Sequence, residues 1–349
     1  MRRKVVRRAA VTGGVCAALL VAVYLLAVWT VPGQAFEDAV LRGALLAAGG
    51  EQQAAATATL DKITEYSLAV AIVVVFAIGL ARRQVFLAMS GAGMIVVSVV
   101  TTEVLQRLVL LRPVLLPSGE RRADQSFPSG HTTIATSVMC GLVMVVPYRF
   151  RGVAVFLTSL WATTVGASTV TASWHRPSDT IGSDLIVLIY ACTAIALLAC
   201  KGSVREAEPR SRAARAARGT LVGLHAVEAV AAVCIGVVVG GSALRDLAHS
   251  LEPGDGTNQA AYLAGRAFAL AGGALVALTI LGLLRRIDLT APGRGLGAGG
   301  HQGPGSAGHP DRLSEGPGNG QRRAEAPGAG LRKTGQLVVP SRPVRHDHR

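Results

Sequence analysis

Apolar residues are gathered along the chain into long runs that short polar segments separate. Eight such runs lie at residues 10–31, 65–81, 85–105, 132–148, 152–173, 180–200, 220–242 and 262–284. A helix needs about 20 predominantly apolar residues to cross the hydrocarbon core of a bilayer. Glycine and alanine are frequent within the runs, which suits helices that pack closely in lipid. The pattern predicts an all-α fold, a polytopic membrane bundle of about eight transmembrane helices.

The composition changes abruptly after Arg285–Arg286. Residues 287–349 are rich in Gly, Pro and Arg and show almost no apolar periodicity. A segment of this kind cannot bury enough apolar surface to offset the entropy lost on ordering. It is therefore predicted to be a disordered C-terminal tail.

The overall composition agrees with a membrane protein. Half of the 349 residues are hydrophobic and 16% are charged, whereas soluble domains carry about 25% charged residues. The net charge of +14 would suit nucleic acid, but the basic residues border the apolar runs and populate the tail. We therefore expect the bilayer as a partner and no nucleic acid. The five cysteines lie within apolar runs, without the spacing of a disulfide framework or a metal site.

Basic residues also predict the orientation. Segment 1–8 is strongly basic, so the N-terminus is predicted to be cytoplasmic. The first run is long for a signal-peptide core and no clear small-residue cleavage site follows it, so we expect a retained helix rather than a cleaved signal. Counting runs forward places the basic segment 201–218 and the C-terminus in the cytoplasm, and segments 106–131 and 174–179 outside.

The outward segment 106–131 breaks the charge rule. It carries Arg107, Arg112, Arg121 and Arg122. Arginines placed against the rule, beside a histidine motif, indicate an anionic ligand; contact with lipid headgroups is the alternative.

Three short motifs lie in or beside the two outward segments. They are Leu111-Arg112-Pro113, Phe127-Pro128-Ser129-Gly130-His131, and Ser168 followed by Trp174-His175-Arg176-Pro177-Ser178-Asp179. His175 and Asp179 are four residues apart, so one helical turn brings the carboxylate to one imidazole nitrogen and leaves the other free as a nucleophile or base.

The other two motifs supply the partners that such a nucleophile needs. His131 is an acid/base group beside a Pro-Ser-Gly turn whose backbone N–H groups can point at phosphate oxygens. Arg112 is a fork-shaped cation for the same oxygens. The motifs thus supply a nucleophile, an orienting carboxylate, a general acid and an arginine clamp for the phosphate anion, without a metal cluster.

The order Arg-Pro, Pro-Ser-Gly-His and Ser-x6-His-x3-Asp resembles the type 2 phosphatidic acid phosphatase (PAP2) superfamily, which also includes vanadium haloperoxidases. The resemblance covers about residues 60–200 and implies a six-helix core once the first run is added. It implies that His175 attacks phosphorus to form a phosphohistidine, that Asp179 orients it, and that His131 protonates the leaving oxygen and then activates water.

For the phosphate, the resemblance implies that Arg112, the Ser129 hydroxyl and the Gly130 backbone N–H hold the equatorial oxygens. Ser168 either bonds the phosphate or packs within its helix. No metal and no cofactor is implied.

Two positions depart from the family pattern. The lysine expected seven residues before Arg112 is Leu105, or Gln106 if the spacing contracts by one, and the arginine expected after Ser168 is Thr169. Each charged hydrogen bond contributes roughly 1.5–3 kcal/mol, so the clamp is weaker or rebuilt. Arg107 and Arg176, along with Arg121 and Arg122, are the candidate substitutes, and Arg176 is best placed because it adjoins His175. A headgroup-facing or loop-capping Arg176 is the alternative.

Several ionisable residues lie within the apolar runs. Glu103 and Asp184 are near the outer ends of their helices and are candidates for a supporting role at the site. His225 and Glu228 are three apart on one helix face, where they either bond each other or relay protons.

We therefore expect a membrane lipid-phosphate phosphatase, acting on a phosphatidate-like or undecaprenyl-diphosphate-like lipid at the extracytoplasmic face of the cell membrane. A non-catalytic lipid-phosphate binding or transport protein is the alternative; haloperoxidation is disfavoured because those enzymes are soluble and keep all the anion-binding cations. The chain divides into a core at 1–200, a basic cytoplasmic loop at 201–219, two additional transmembrane helices at 220–286, and the tail at 287–349. The sequence does not predict the oligomeric state.

Overall fold

The fold is seen in a computed structural model that describes residues 1–47, 50–116, 126–207, 212–249 and 253–290, with only the backbone at 213, 214 and 217. Its α-helices are α1 (Arg2–Val28), α2 (Val31–Ala47), α3 (Gly50–Leu60), α4 (Glu65–Ala81), α5 (Val85–Val104), α6 (Gly130–Val145), α7 (Arg151–Thr171), α8 (Pro177–Cys200), α9 (Arg212–His249) and α10 (Asp255–Leu283). A π-helix, Leu105–Val109, continues α5, and two short strands, β1 (Arg205–Glu206) and β2 (Ile287–Asp288), follow α8 and α10.

The structure confirms the all-α polytopic bundle. Each of the eight predicted runs is a helix: α1, α4, α5, α6, α7, α8, α9 and α10. In the part of the chain that the structure describes, six helices are long and apolar enough to cross a membrane, and α3 with α4, bent by 51°, would make a seventh span. α6 is shorter, but most of its residues are buried, so it lies at the centre of the bundle. Between α1 and α4, α2 (Val31–Ala47) and α3 (Gly50–Leu60) are two further helices that the apolar runs did not predict.

The two histidine motifs lie at the same end of the bundle, as their predicted placement in neighbouring outward segments requires. The Ser129 N–H at the start of α6 donates to the carbonyl of Asp179 in the first turn of α8, at 3.0 Å. At the opposite end, the Arg82 guanidinium donates to the carbonyl of Val145, the last residue of α6, at 2.8 Å. Arg82 also pairs with Asp288 after α10 at 3.4 Å. One end of the bundle therefore carries the histidines, and at the other end Arg82 ties α6 to the segment after α10.

The structure describes chain on both sides of the boundaries predicted at 201–219 and 287. β1 and β2 pair antiparallel, and α9 already begins at Arg212. Ile287 and Leu289 are buried in the main apolar core, and Arg151 donates to the Ile287 carbonyl at 2.6 Å. Because these apolar side chains complete the core, ordered chain extends past residue 286. The rest of the predicted tail, 291–349, lies outside the described residues.

Candidate active site

The loop between α7 and α8 is built to present His175. The carbonyl of Thr169 accepts the backbone N–H groups of both Trp174 and His175, at 3.0 and 3.2 Å, which folds the chain back over the end of α7. A proline at 177 starts α8, where its missing N–H is of no consequence. The sequence therefore turns sharply after α7 and leaves His175 at the start of the next helix.

Asp179 lies under this turn and contacts the histidine. Its Oδ2 accepts the backbone N–H of Arg176 at 2.9 Å, which caps the start of α8. The same oxygen lies 3.4 Å from His175 Nδ1. Asp179 is fully buried, whereas the His175 side chain is 11% exposed. The i, i+4 spacing thus directs Nδ1 towards the carboxylate and Nε2 away from it.

His131 stands in the first turn of α6, opposite His175. Ser129 caps this helix, its hydroxyl accepting the Thr132 N–H at 3.4 Å, and Ser183 on α8 donates to the Ser129 carbonyl at 2.7 Å. The two imidazole centroids are 6.5 Å apart. Trp174 meets the His131 ring edge-on at 5.4 Å. Direct hydrogen bonds between α6 and α8 therefore fix the separation of the two histidines.

Arg112, the cation expected at the phosphate, is paired with a carboxylate that the sequence motifs do not include. Its guanidinium lies 3.0 Å from Glu37 Oε2, and both side chains are more than nine-tenths buried. Glu37 Oε1 accepts the backbone N–H of Ser178 at 3.3 Å. Glu37 on α2 therefore bridges the Arg-Pro motif and the start of α8.

Arg176 is held in a similar way. It donates to the Ser126 hydroxyl at 3.0 Å and lies 3.4 Å from Asp38 Oδ1. Both arginines beside the histidines are thus neutralised by adjacent acidic residues of α2. This helix is not among the candidate membrane spans.

The Glu37 carboxyl is in an environment that disfavours its charge. Burial and the nearby Asp179 raise its pKa, Arg112 opposes the shift, and the net result is a pKa of about 7. The Glu37–Arg112 ion pair is therefore expected to change its strength near neutral pH.

Arg107, another of the candidate cations, is largely exposed to solvent. It pairs with Glu103 one turn earlier at 2.7 Å, and its side chain is 73% exposed. Glu103 in turn lies beside the backbone of Gly130, where an added Cβ would be 3.7 Å from its Oε1. Arg107 thus borders the site through Glu103. Arg121 and Arg122 lie outside the described residues.

A π-helical turn, Leu105–Val109, lies just before Arg112. The Leu110 N–H donates to the Leu105 carbonyl at 2.8 Å, a bond that encloses one residue more than an α-helical turn. Gln106 is thereby turned inward, and its amide donates to the Ser126 carbonyl at 3.3 Å. An uncharged amide therefore lies at the edge of the site near the position where the family pattern has a lysine.

Ser168 and Thr169 belong to the last turns of α7. Ser168 is half-buried and its carbonyl accepts the Ala172 N–H at 2.8 Å. Thr169 is fully buried, and its hydroxyl donates to the Gly166 carbonyl at 2.7 Å. The position where the family pattern has arginine thus supports the loop that carries His175.

Glu37, Asp38 and Ser126 are the site neighbours that motif analysis missed. The signal available in the sequence was the adjacent acidic pair Glu37–Asp38, flanked by apolar residues in the segment after the first run. An acidic pair of this kind indicates a buried partner, because unpaired carboxylates are costly to bury.

A second histidine cluster lies between α7 and α9. His225 Nε2 is 2.8 Å from the Ser159 hydroxyl, and its Nδ1 is 3.1 Å from Glu228 Oε2. Ser159 is fully buried and also donates to the Phe156 carbonyl. The predicted His225–Glu228 pair is therefore present as part of an interhelical hydrogen-bond network. Asp184 accepts from the Thr136 hydroxyl at 2.8 Å and ties α8 to α6.

Residues 86–205 match the model of the PAP2 superfamily. No curated protein and no solved structure matches the chain. The matched segment begins in α5 and contains all three sequence motifs.

Proposed function

We propose that the protein is a metal-independent membrane phosphatase acting on a lipid phosphate, on the basis of the match between residues 86–205 and the model of the PAP2 superfamily. The observation that carries the proposal is the pairing of His131 and His175, 6.5 Å apart, with the buried Asp179 behind the second. A phosphoryl group between the rings would meet a nucleophile on one side and a proton donor on the other.

The first chemical step is attack by His175 Nε2 on phosphorus. A P–N bond forms as the P–O bond to the lipid breaks, and His131 donates its proton to the departing oxygen. Asp179 keeps the ring oriented and stabilises the positive charge that develops on His175. In the second step His131 takes a proton from water, the oxygen of that water attacks phosphorus, and the P–N bond breaks to release inorganic phosphate.

The phosphoryl oxygens would be held at the start of α6. The Gly130 N–H and the Ser129 hydroxyl lie at the positive end of that helix dipole, where anions are stabilised. Arg112 and Arg176 lie nearby, but each is paired with a carboxylate of α2. Substrate binding would therefore exchange a carboxylate partner of these arginines for a phosphate oxygen. We assign to Arg107 an indirect role in phosphate binding, through its ion pair with Glu103. Ser168 is assigned a position at the rim of the candidate active site.

A second candidate function is a lipid-phosphate binding or transport protein without turnover. The same two ion pairs favour it, because a clamp whose cations are already neutralised stabilises a phosphoryl transition state less than free cations would. Phosphate release distinguishes the two candidates.

The substrate and the orientation belong to this proposal as well. A site at the end of a membrane bundle suits an amphipathic substrate, either a phosphatidate-like monoester or an undecaprenyl-diphosphate-like diphosphate. The opposite end of the bundle is the one with the clustered basic residues, which favours the cytoplasm for that end and the extracytoplasmic face of the cell membrane for the histidines.

The test is phosphate release by purified protein in mixed micelles containing EDTA. Dioctanoyl phosphatidate, a polyprenyl diphosphate and p-nitrophenyl phosphate would be compared. We expect turnover of at least one of the two lipids at a rate that EDTA does not change. Binding of a lipid without release of phosphate from any of the three would favour the binding protein instead.

Glu37→Gln is expected to lower KM roughly tenfold near pH 8, because a neutral amide holds Arg112 less strongly than a carboxylate does. In the wild type the Glu37 carboxyl, with its pKa of about 7, gains a proton as the pH falls through neutrality. The wild-type KM should therefore approach that of the variant below pH 7, whereas above it the two should diverge.

Glu51→Gln, on the exposed face of α3, is the matched control and should follow the wild type at every pH. Titration of the substrate phosphate affects all three proteins equally, so it cancels from the comparison. A constant ratio of KM between Glu37→Gln and wild type from pH 5.5 to 8.5 would contradict the competition between Glu37 and phosphate for Arg112.

A further inference from the structure

A cavity of about 830 Å³ lies between α1 and α10, and its rim is strongly basic. Two arginines come from the start of α1, Arg7 and Arg8, and two follow the end of α10, Arg285 and Arg286. All four side chains are exposed. No carboxylate is among the described residues that line the cavity, so four like charges face one space.

The cavity is remote from the candidate active site. On α1, Tyr24 donates to the Leu111 carbonyl beside the Arg-Pro motif at 2.7 Å. Arg7 is 17 residues earlier on the same helix, which corresponds to about 25 Å at 1.5 Å per residue. A ligand of the cavity therefore occupies the opposite leaflet from a substrate of the histidines.

The lining of the cavity changes from charged to apolar along α1 and α10 with increasing distance from the membrane surface. Val11 and Thr12 lie one turn further along α1 from Arg7 and Arg8, on the same helix face. On α10, Leu283 and Thr279 extend the opposite wall in the same direction. Arginines at the membrane surface with hydroxyls and apolar side chains below them match a phosphate headgroup, its glycerol and the first part of an acyl chain in that order.

We propose that this cavity binds the headgroup of an anionic phospholipid of the opposite leaflet, independently of the phosphatase site. Clustered basic residues at helix ends serve membrane orientation in general, but orientation requires only charge. Here four arginines, two at the start of α1 and two just after α10, converge on a space within the size range of ligand pockets, about 300–1,000 Å³. Basic pockets between transmembrane helices bind anionic headgroups on this principle.

The experiment is a titration of the purified protein in neutral detergent with dioleoyl phosphatidylglycerol, a phosphodiester that a phosphomonoesterase does not cleave. Bound lipid is counted by native mass spectrometry and affinity is followed as a rise in Tm. We expect phosphatidylglycerol to bind at least tenfold more tightly than phosphatidylcholine. The double variant Arg7→Gln/Arg285→Gln should lose about tenfold in affinity for phosphatidylglycerol alone.

Two further variants separate the cavity from net charge. Arg149→Gln/Arg205→Gln removes the same charge from exposed positions at the same end of the bundle and should bind as the wild type does. Gly282→Phe keeps all four arginines but fills the cavity, since an added Cβ at Gly282 meets no protein atom within 4 Å. It should lose phosphatidylglycerol binding while retaining its unliganded Tm.

Equal losses in the two double variants, or full binding by Gly282→Phe, would overturn the proposal in favour of nonspecific charge attraction. Displacement of the lipid by millimolar inorganic phosphate would overturn the lipid assignment and identify a free-anion site. Phosphatase activity enters none of these readouts, so the result is independent of the proposed reaction.

Discussion

Replacement of His175 with alanine is expected to lower kcat for lipid phosphate at least about 10⁴-fold, because it removes the atom that attacks phosphorus. Hydrogen bonds from the Thr169 carbonyl hold the loop through backbone N–H groups, which alanine retains. The variant should therefore fold, and its Tm should stay close to that of the wild type. Phosphate release and Tm are measured on the same preparation.

His249→Ala is the matched control for this variant. His249 lies exposed in the last turn of α9, remote from the motifs in sequence, and its replacement should leave turnover unchanged. Turnover by His175→Ala within tenfold of the wild type would assign the nucleophile to another group.

His131→Ala is expected to lower kcat for an alkyl lipid phosphate about 10²–10⁴-fold, the usual contribution of a general acid or base. The effect on the first step should depend on the leaving group. The p-nitrophenolate anion departs without a proton, so phosphorylation of His175 by p-nitrophenyl phosphate should be slowed far less than phosphorylation by a lipid.

In the His131→Ala variant the second step, hydrolysis of the phosphohistidine, still lacks the base that activates water. The variant should therefore release a rapid burst of p-nitrophenol, close to one equivalent per chain, followed by slow turnover. Stopped-flow absorbance measures the burst. Equal losses for lipid and aryl phosphates, with no burst, would exclude His131 as the group that protonates the leaving oxygen.

The helices and the two histidine motifs were accessible to sequence reasoning because they follow from local patterns. Apolar runs of membrane-spanning length predicted the bundle, and the four-residue spacing of His175 and Asp179 predicted their contact, seen at 3.4 Å. The meeting of the two motif loops followed from counting spans.

The acidic partners of Arg112 and Arg176 could not be predicted from local sequence patterns. Glu37 and Arg112 are 75 residues apart in the sequence, and Asp38 and Arg176 are 138 apart. Only tertiary packing of α2 against the site end brings them together. The π-helix at Leu105–Val109 likewise depends on backbone hydrogen bonding that apolar periodicity does not encode. The missing lysine and arginine were visible in the sequence, but not the carboxylates that engage the remaining cations.

Trapping the covalent intermediate tests the central claim most directly. His131→Ala would be mixed with p-nitrophenyl phosphate in EDTA, quenched in alkali, digested and analysed by mass spectrometry. The account predicts one phosphoryl group per chain on His175, stable in alkali and lost in acid, as a phosphoramidate bond requires. A phosphoryl group on another residue, or none while the wild type releases phosphate from the same substrate, would contradict it.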